Sequence, residues 1–297
     1  MGHQLHSRIH WQALAALLWC LCACSAHADG AHHALWVVKG AHNTVYLLGS
    51  VHVLRPSDSD LPPEALHAYA EARALVMEID LNGADTGAML ANDASLETLP
   101  EGQTLAGVLG PDVYARFGAH ARALGLDPDT FSSFQPWFAA LAMQQAELSQ
   151  QGFEPGAGVD EQFAQRAASD HKPIIGLETI DEQLGIFAKL SAEQQRRFLL
   201  YTLDDADETV HSAEAVVSAW RSGDIHALET LLLDSSQEYP ELFRMLTTDR
   251  NRRWLPTVTG LLQESQDYLV IVGALHLVGH DGLVQLLQQA GYQVVQH

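Results

Sequence analysis

Short apolar runs recur along this chain, and four of them end in a residue able to do chemistry. Val45-Tyr46-Leu47-Leu48 runs into Gly49-Ser50-Val51-His52, and Leu75-Val76-Met77 into Glu78 and Asp80. Ile174-Ile175-Gly176-Leu177 runs into Glu178, and Leu269-Val270-Ile271-Val272 into Gly273-Ala274-Leu275-His276. Continuous apolar runs of this length, bounded by turn residues, read as strands buried on both faces. Longer amphipathic stretches separate them. Strands and helices in this alternation bury their apolar surface by packing helices onto a sheet, so the fold class is α/β.

The pattern fixes more of the architecture. Leu35-Trp36-Val37-Val38 and Val45-Tyr46-Leu47-Leu48 flank a Gly/Asn turn and read as a hairpin, which makes the sheet mixed. Pro62-Pro63 opens a helix reaching about Arg73. The residues between the two sheet-forming ends are mainly helical, with helices expected over 105–124, 136–150, 160–168, 181–204, 208–221, 225–233 and 241–264. This long stretch reads as an insertion or cap over the sheet. A last helix over 281–290 and a strand over 292–296 complete the chain. There is no fixed-period repeat, low-complexity tract or linker, so residues 29–297 are expected to form one domain.

The first 28 residues are set apart. Arg8 precedes the apolar run Trp11 to Ala23, which is shorter than the roughly 20 residues a membrane span needs. Ala26-His27-Ala28 has the small-x-small form of a signal-peptidase site. The chain is therefore expected to be exported, periplasmic or secreted, with Asp29 as its first mature residue. The alternatives are a membrane anchor, or a lipid attached at Cys24 in Leu21-Cys22-Ala23-Cys24. Cys20, Cys22 and Cys24 are the only cysteines. Cleavage removes all three, which excludes disulfides, a cysteine nucleophile and cysteine metal ligands from the mature chain. Elsewhere no run approaches a membrane-spanning length. A net charge of −21 repels phosphate backbones and argues against nucleic acid as a partner.

In open α/β sheets, ligands lie outside the carboxyl ends of the strands. The four strand ends would therefore gather His52, Glu78, Glu178 and His276. Each histidine follows a strand in a G-x-x-H motif, where glycine permits a sharp turn or a close approach. Imidazole nitrogen and carboxylate oxygen suit zinc and similar divalent metals, and a two-His, one-carboxylate set leaves a position open for water. The plainer readings are a solvated turn histidine for His52, a carbonyl-satisfied histidine for His276, and a salt bridge to Arg73 or Arg250 for Glu78. Glu178 is a candidate general base or a partner to a ligand histidine, against a helix-capping acid. Asp160 in Gly158-Val159-Asp160 has the same alternatives, with the N-cap the stronger. Arg250 could steady an oxyanion or form a structural salt bridge. His280 is a further candidate ligand. There is no G-x-S-x-G, H-E-x-x-H or P-loop motif.

These blocks together resemble the TraB/PrgY/GumN family, related to the Tiki metalloproteases and to erythromycin-esterase-like proteins. The resemblance runs from Leu35-Trp36 through Tyr46-Leu47-Leu48-Gly49-Ser50-Val51-His52, the Glu78 strand, Gly158-Val159-Asp160 and Gly176-Leu177-Glu178-Thr179 with Glu182-Gln183. It continues through Arg250-Asn251, Trp254, Val272-Gly273-Ala274-Leu275-His276-Leu277-Val278-Gly279 and Asp281-Gly282-Leu283. It implies an α/β fold and a divalent-metal site formed by His52, Glu78 and His276. For the Tiki branch it also implies peptidase activity. The resulting expectation is a metal-dependent hydrolase, taking zinc, manganese or cobalt and acting on a peptide or protein. A non-catalytic peptide or metal binder and an esterase remain as alternatives.

Overall fold

The computed structural model describes residues 33–80, 95–204, 206–238 and 240–297. The expected export segment, including Ala26-His27-Ala28, lies outside the described residues. Strands β1 (Leu35–Lys39) and β2 (Thr44–Ser50) form the expected antiparallel hairpin, with Leu35 opposite Leu48. Beyond β2, strand β5 (Tyr268–Gly273) runs parallel to it, with Val45 opposite Tyr268 and Ser50 opposite Gly273. Strands β3 (Ala74–Met77) and β4 (Ile174–Gly176) continue the parallel half, and β6 (Val294–Gln296) pairs antiparallel with β1. The six-stranded order is β4-β3-β5-β2-β1-β6. A mixed sheet with helices packed on it is an α/β fold, as expected.

Burial explains the apolar runs. Every residue of β3 and β5 is buried, since both strands lie inside the sheet with both faces covered. At the β4 edge the cover thins, and Ile175 is 39% exposed. The β3 ladder ends at Met77, so Glu78 lies one residue past the strand rather than within it, although its carbonyl still accepts from the Glu178 N–H at 3.0 Å.

The helices α1 (Pro63–Glu71), α2 (Leu105–Leu109), α3 (Pro111–Ala123), α4 (Pro136–Gln150), α5 (Val159–Asp170), α6 (Ile180–Ala188) and α7 (Ala192–Asp204) follow in chain order. After them come α8 (Ala206–Ser222), α9 (Ile225–Glu238), α10 (Pro240–Leu246), α11 (Thr248–Leu261) and α12 (Leu283–Gln289). The helix expected over 105–124 is two helices. Gly110 takes φ +75°, and Pro111 starts α3 because proline has no N–H to give the preceding turn. The stretches over 181–204 and 241–264 also divide, at Lys189–Ser191 and at Thr247. The last helix starts at Leu283 rather than Asp281. The helical insertion has its own core, in which Leu105, Val113, Phe117, Met143 and Leu199 pack apart from the cluster around the sheet. Among the described residues no helix is long and apolar enough to cross a membrane.

One buried amide ties the hairpin to the rest of the sheet. Asn43 Nδ2 donates to the carbonyls of Leu261 at 2.8 Å and Gln266 at 2.7 Å. The Thr44 N–H donates to Asp267 Oδ1 at 2.6 Å, which sets the entrance of β5 beside β2. A Cβ at Gly40 would lie 2.1 Å from Asn43 Oδ1 and 2.4 Å from the Leu262 carbonyl oxygen, so the turn closes only without one. Replacing Asn43 by alanine takes a donor from both carbonyls, of which that of Leu261 keeps the Glu264 N–H at 3.1 Å, and we expect a loss of about 1–3 kcal/mol of stability. Chemical denaturation of wild type and Asn43→Ala measures this; equal midpoints would show that water replaces the amide without loss.

Candidate active site

The carboxyl ends of β2, β5, β3 and β4 meet on one edge of the sheet. That edge brings together His52, His276, Glu78 and Glu178, with Asp160 from the first turn of α5 and Arg250 from α11. Neither Gly49 nor Gly273 has a positive φ, so the G-x-x-H glycines are not needed for a turn. They are needed for space. A Cβ on Gly273 would stand 3.0 Å from His52 Nε2 and 3.3 Å from Glu78 Oε1. One on Gly49 would stand 3.1 Å from Ala274 Cα, and one on Gly158 only 2.2 Å from the His52 carbonyl oxygen.

Three donor atoms face a common space. His52 Nε2 is 4.0 Å and His276 Nε2 3.8 Å from Glu78 Oε1. The opposite nitrogen of each ring is held by another side chain: His52 Nδ1 lies 3.1 Å from Asp160 Oδ2, and His276 Nδ1 lies 2.7 Å from Asn251 Oδ1. Asn251 Nδ2 donates to the carbonyls of His276 and Asp281, at 3.1 and 2.8 Å. Its Oδ1 is therefore the end that faces His276, and a neutral His276 carries its proton on Nδ1 and its lone pair on Nε2. The His276 ring also packs on Trp254, with centroids 4.5 Å apart.

Arg250 occupies the centre of the cluster. Its guanidinium donates from Nη2 to Glu78 Oε2, from Nε and Nη2 to Glu178 Oε1 at 3.0 and 2.6 Å, and from Nη1 to His276 Nε2 at 2.9 Å. Gln183 Nε2 donates to Glu78 at 3.2 Å and to Glu178 at 3.3 Å. Arg253 Nη2 stands 3.5 Å from Glu178 Oε2.

These contacts decide the alternatives left open by the sequence. The Glu78 salt-bridge partner is Arg250, not Arg73. Glu178 is not a cap, because Thr179 caps α6 in a capping box with Glu182. Asp160 is not the N-cap of α5, a position held by Gly158, but it is an acidic residue of that helix's first turn. His280 has a side chain 86% exposed, beside Asp281, and stands apart from the three donors. Sequence reasoning gave no role to Gln183, Asn251 or Trp254. The available signal for two of them was helical spacing, since Arg250, Asn251 and Trp254 share the buried face of α11.

The electrostatics keep Glu78 ionised. Burial opposes ionisation of Glu78, but neighbouring His276, Arg250 and His52 and the 2.7 Å hydrogen bond from the Gly273 N–H outweigh it, and its pKa falls to about 2. At His276 burial dominates over the pull of Glu78, and the pKa falls to about 3, so the ring is neutral at pH 7. Burial also opposes charge on His52, yet the hydrogen bond and charge of Asp160, with Glu78 behind them, raise its pKa to about 9. The side chain is 59% exposed, so solvent moderates that pull. Two imidazoles and an ionised carboxylate, each buttressed from behind, are a donor set suited to a divalent metal. Among the described residues, no group of three His, Cys, Asp or Glu side chains is placed so that it could hold a metal ion without moving. Separations of 3.8 and 4.0 Å are about half an ångström wider than a tetrahedral shell with bonds of about 2.1 Å. The chemistry of the set fits, and the side chains must close slightly to hold the ion.

Gly273→Ala tests the spacing directly. With φ −50° and ψ 137° at this position, alanine suits the backbone, and only the pocket has no room for it. We expect an unchanged circular dichroism spectrum and a crystal structure in which the His52 ring is displaced from Glu78. A ring that keeps its place would mean that slack elsewhere absorbs the methyl group.

The model of the TraB/PrgY/gumN family matches residues 34–296. "Uncharacterized protein YbaP" of Escherichia coli (strain K12) is 26% identical over 243 residues, covering 82% of this chain and 87% of that protein. "Metalloprotease TIKI2" of Xenopus tropicalis is 25% identical over 315 residues, covering 88% of this chain and 59% of that protein. "Metalloprotease TIKI1" of Danio rerio is 22% identical over 353 residues, covering 96% and 70%. No solved structure matches. With nearly all the described residues inside the matched range, this chain belongs to the TraB/PrgY/gumN family.

Proposed function

We propose that this protein is an exported metal-dependent hydrolase that cleaves peptide bonds, with His52, Glu78 and His276 as its metal ligands. One observation carries the reading: two imidazole Nε2 atoms stand within 4.0 Å of the same carboxylate oxygen, at the open carboxyl edge of the sheet. The two Tiki relatives, both named metalloproteases, support this chemistry over an esterase. A divalent ion such as zinc, manganese or cobalt, when bound there, supplies hydroxide near neutral pH and polarises a scissile carbonyl.

The other residues act by position and charge. Asp160 and Asn251 hold the two rings by their Nδ1 atoms, so that both Nε2 atoms face the same space. Of the two carboxylates considered for proton transfer, Glu178 is the less suitable. Its side chain is 2% exposed and its Oε1 already accepts two guanidinium N–H groups. Asp160 is 24% exposed and lies 3.1 Å from His52 rather than on a guanidinium, which makes it the better placed of the two, although its unpartnered Oδ1 is itself buried. Arg250 brings a fixed positive charge to the same edge; with its N–H groups all engaged, it can act on a developing oxyanion only through that charge.

The test is the metal content of the protein, purified without chelators or a histidine tag, beside His52→Ala and His276→Ala. We expect about one equivalent in wild type and none in either folded variant, since each would lose one of three ligands. Peptide hydrolysis by wild type should disappear with the metal and return on reconstitution. Failure of the wild type to take up zinc, manganese or cobalt would overturn the reading. A peptide captured one-to-one and recovered intact would make the protein a binder instead.

A further inference from the structure

Metal-free, the three candidate ligands already have a cation among them. A neutral imidazole has one lone pair; in His276 it lies on Nε2, where it accepts an N–H from Arg250 Nη1 at 2.9 Å. The tautomer cannot switch to release it, because Asn251 is held by two backbone carbonyls and can only accept at Oδ1. Arg250 Nη2 meanwhile donates to Glu78 Oε2. A single guanidinium thus engages two of the three residues. It is 5% exposed and packed 4.6 Å over the Trp254 ring, so it is built into the site rather than drawn in from solvent.

One lone pair cannot serve a guanidinium and a metal at once. We propose that Arg250 is an internal competitor for the metal, and that metal uptake requires its Nη1 to leave His276 and its guanidinium to turn fully onto Glu178. This inference rests on the metal-site reading above. Glu178 suits the role of alternative anchor. Its Oε1 already accepts from Arg250 Nε and Nη2, and its buried Oε2 has no hydrogen bond, only the Arg253 guanidinium 3.5 Å away, so a turning guanidinium meets an acceptor. Arg250 therefore balances the buried carboxylates while the metal is absent. Glu178 sets how readily Arg250 gives way.

The experiment measures zinc affinity of the full mature chain by competition with a chromophoric chelator, together with Tm with and without zinc. The proteins are wild type, Arg250→Met, Glu178→Gln and the double variant. Removing a buried cation beside the ligands should tighten zinc binding by about tenfold or more, and Glu178→Gln should weaken it by about tenfold. Arg250→Met should lower the Tm of the metal-free protein and recover most of the loss on zinc binding. In the double variant the Glu178→Gln effect should vanish, because the residue it releases is gone. Simple charge addition would instead leave the two effects additive, and that result overturns the proposal. So does wild-type or weaker zinc binding by folded Arg250→Met, which would leave the hydrolase reading standing if wild type binds zinc. No zinc uptake by wild type overturns both. If Arg250→Met does not fold, Glu178→Gln decides alone: unchanged or tighter binding refutes the anchor role.

Discussion

Two carboxylates end adjacent strands and are buried together, and a single guanidinium makes this tolerable. Glu78 and Glu178 are close enough that the backbone N–H of one bonds to the carbonyl of the other at 3.0 Å. Like charges so placed repel one another unless a cation intervenes. Arg250 does so with its Nε and both terminal nitrogens engaged. The consequence extends beyond charge, since fixing Arg250 fixes the rotation of α11. Asn251 and Trp254, on the same face, are then set against the His276 ring. Removing one partner from such a network typically costs more than the network contributes as a whole, because a charge is left buried alone.

The His52 side of the site is held differently. His52 lies just past β2, in a loop more open to solvent, and neighbouring elements fasten it. Trp220 of α8 donates its indole N–H to the Gly49 carbonyl at 2.8 Å. Arg221 and Glu214 of the same helix pair with Asp58 and Arg55 on the loop after His52. Gln162 of α5 donates to the Ser59 carbonyl at 3.0 Å. Exposed ion pairs of this kind contribute little stability individually, but here they span a helix and a loop and limit where the imidazole can go. One histidine is thus sealed against a tryptophan while the other faces the entrance.

Much of this was legible in the sequence, for reasons that differ by element. The interior strands were readable because burial on both faces leaves continuous apolar runs, and the residues ending them were readable because parallel strands share one carboxyl edge. Glu78, His52, His276 and Glu178 follow from that alone. Helix boundaries were less legible where a glycine or a tight link interrupts a continuing amphipathic pattern, as at Gly110 and Thr247. Asp160 and Glu178 look like capping acids from spacing, and the actual caps, Gly158 and Thr179, are their close neighbours. Asn251 and Gln183 gave no chemical signal, since an amide that orients another group differs from a surface amide only in what surrounds it.

The strand order has a consequence for how the protein is made. Strand β5 lies between β2 and β3, so these two early strands have no contact in the sheet until β5 arrives. Thr44 and Asp267, whose hydrogen bond sets that junction, are 223 residues apart in sequence. Contacts at such separations are slow to form, because the loop must close before any pairing compensates for its lost freedom. Until β5 arrives a growing chain can pair β1 with β2 and β3 with β4, but it carries His52 on one pair and Glu78 with Glu178 on the other, with nothing in the sheet to join them. The cluster would assemble in one late step, when a single strand inserts and delivers both the missing sheet neighbour and His276. The cluster therefore exists only once all but the last few elements of the chain have been made.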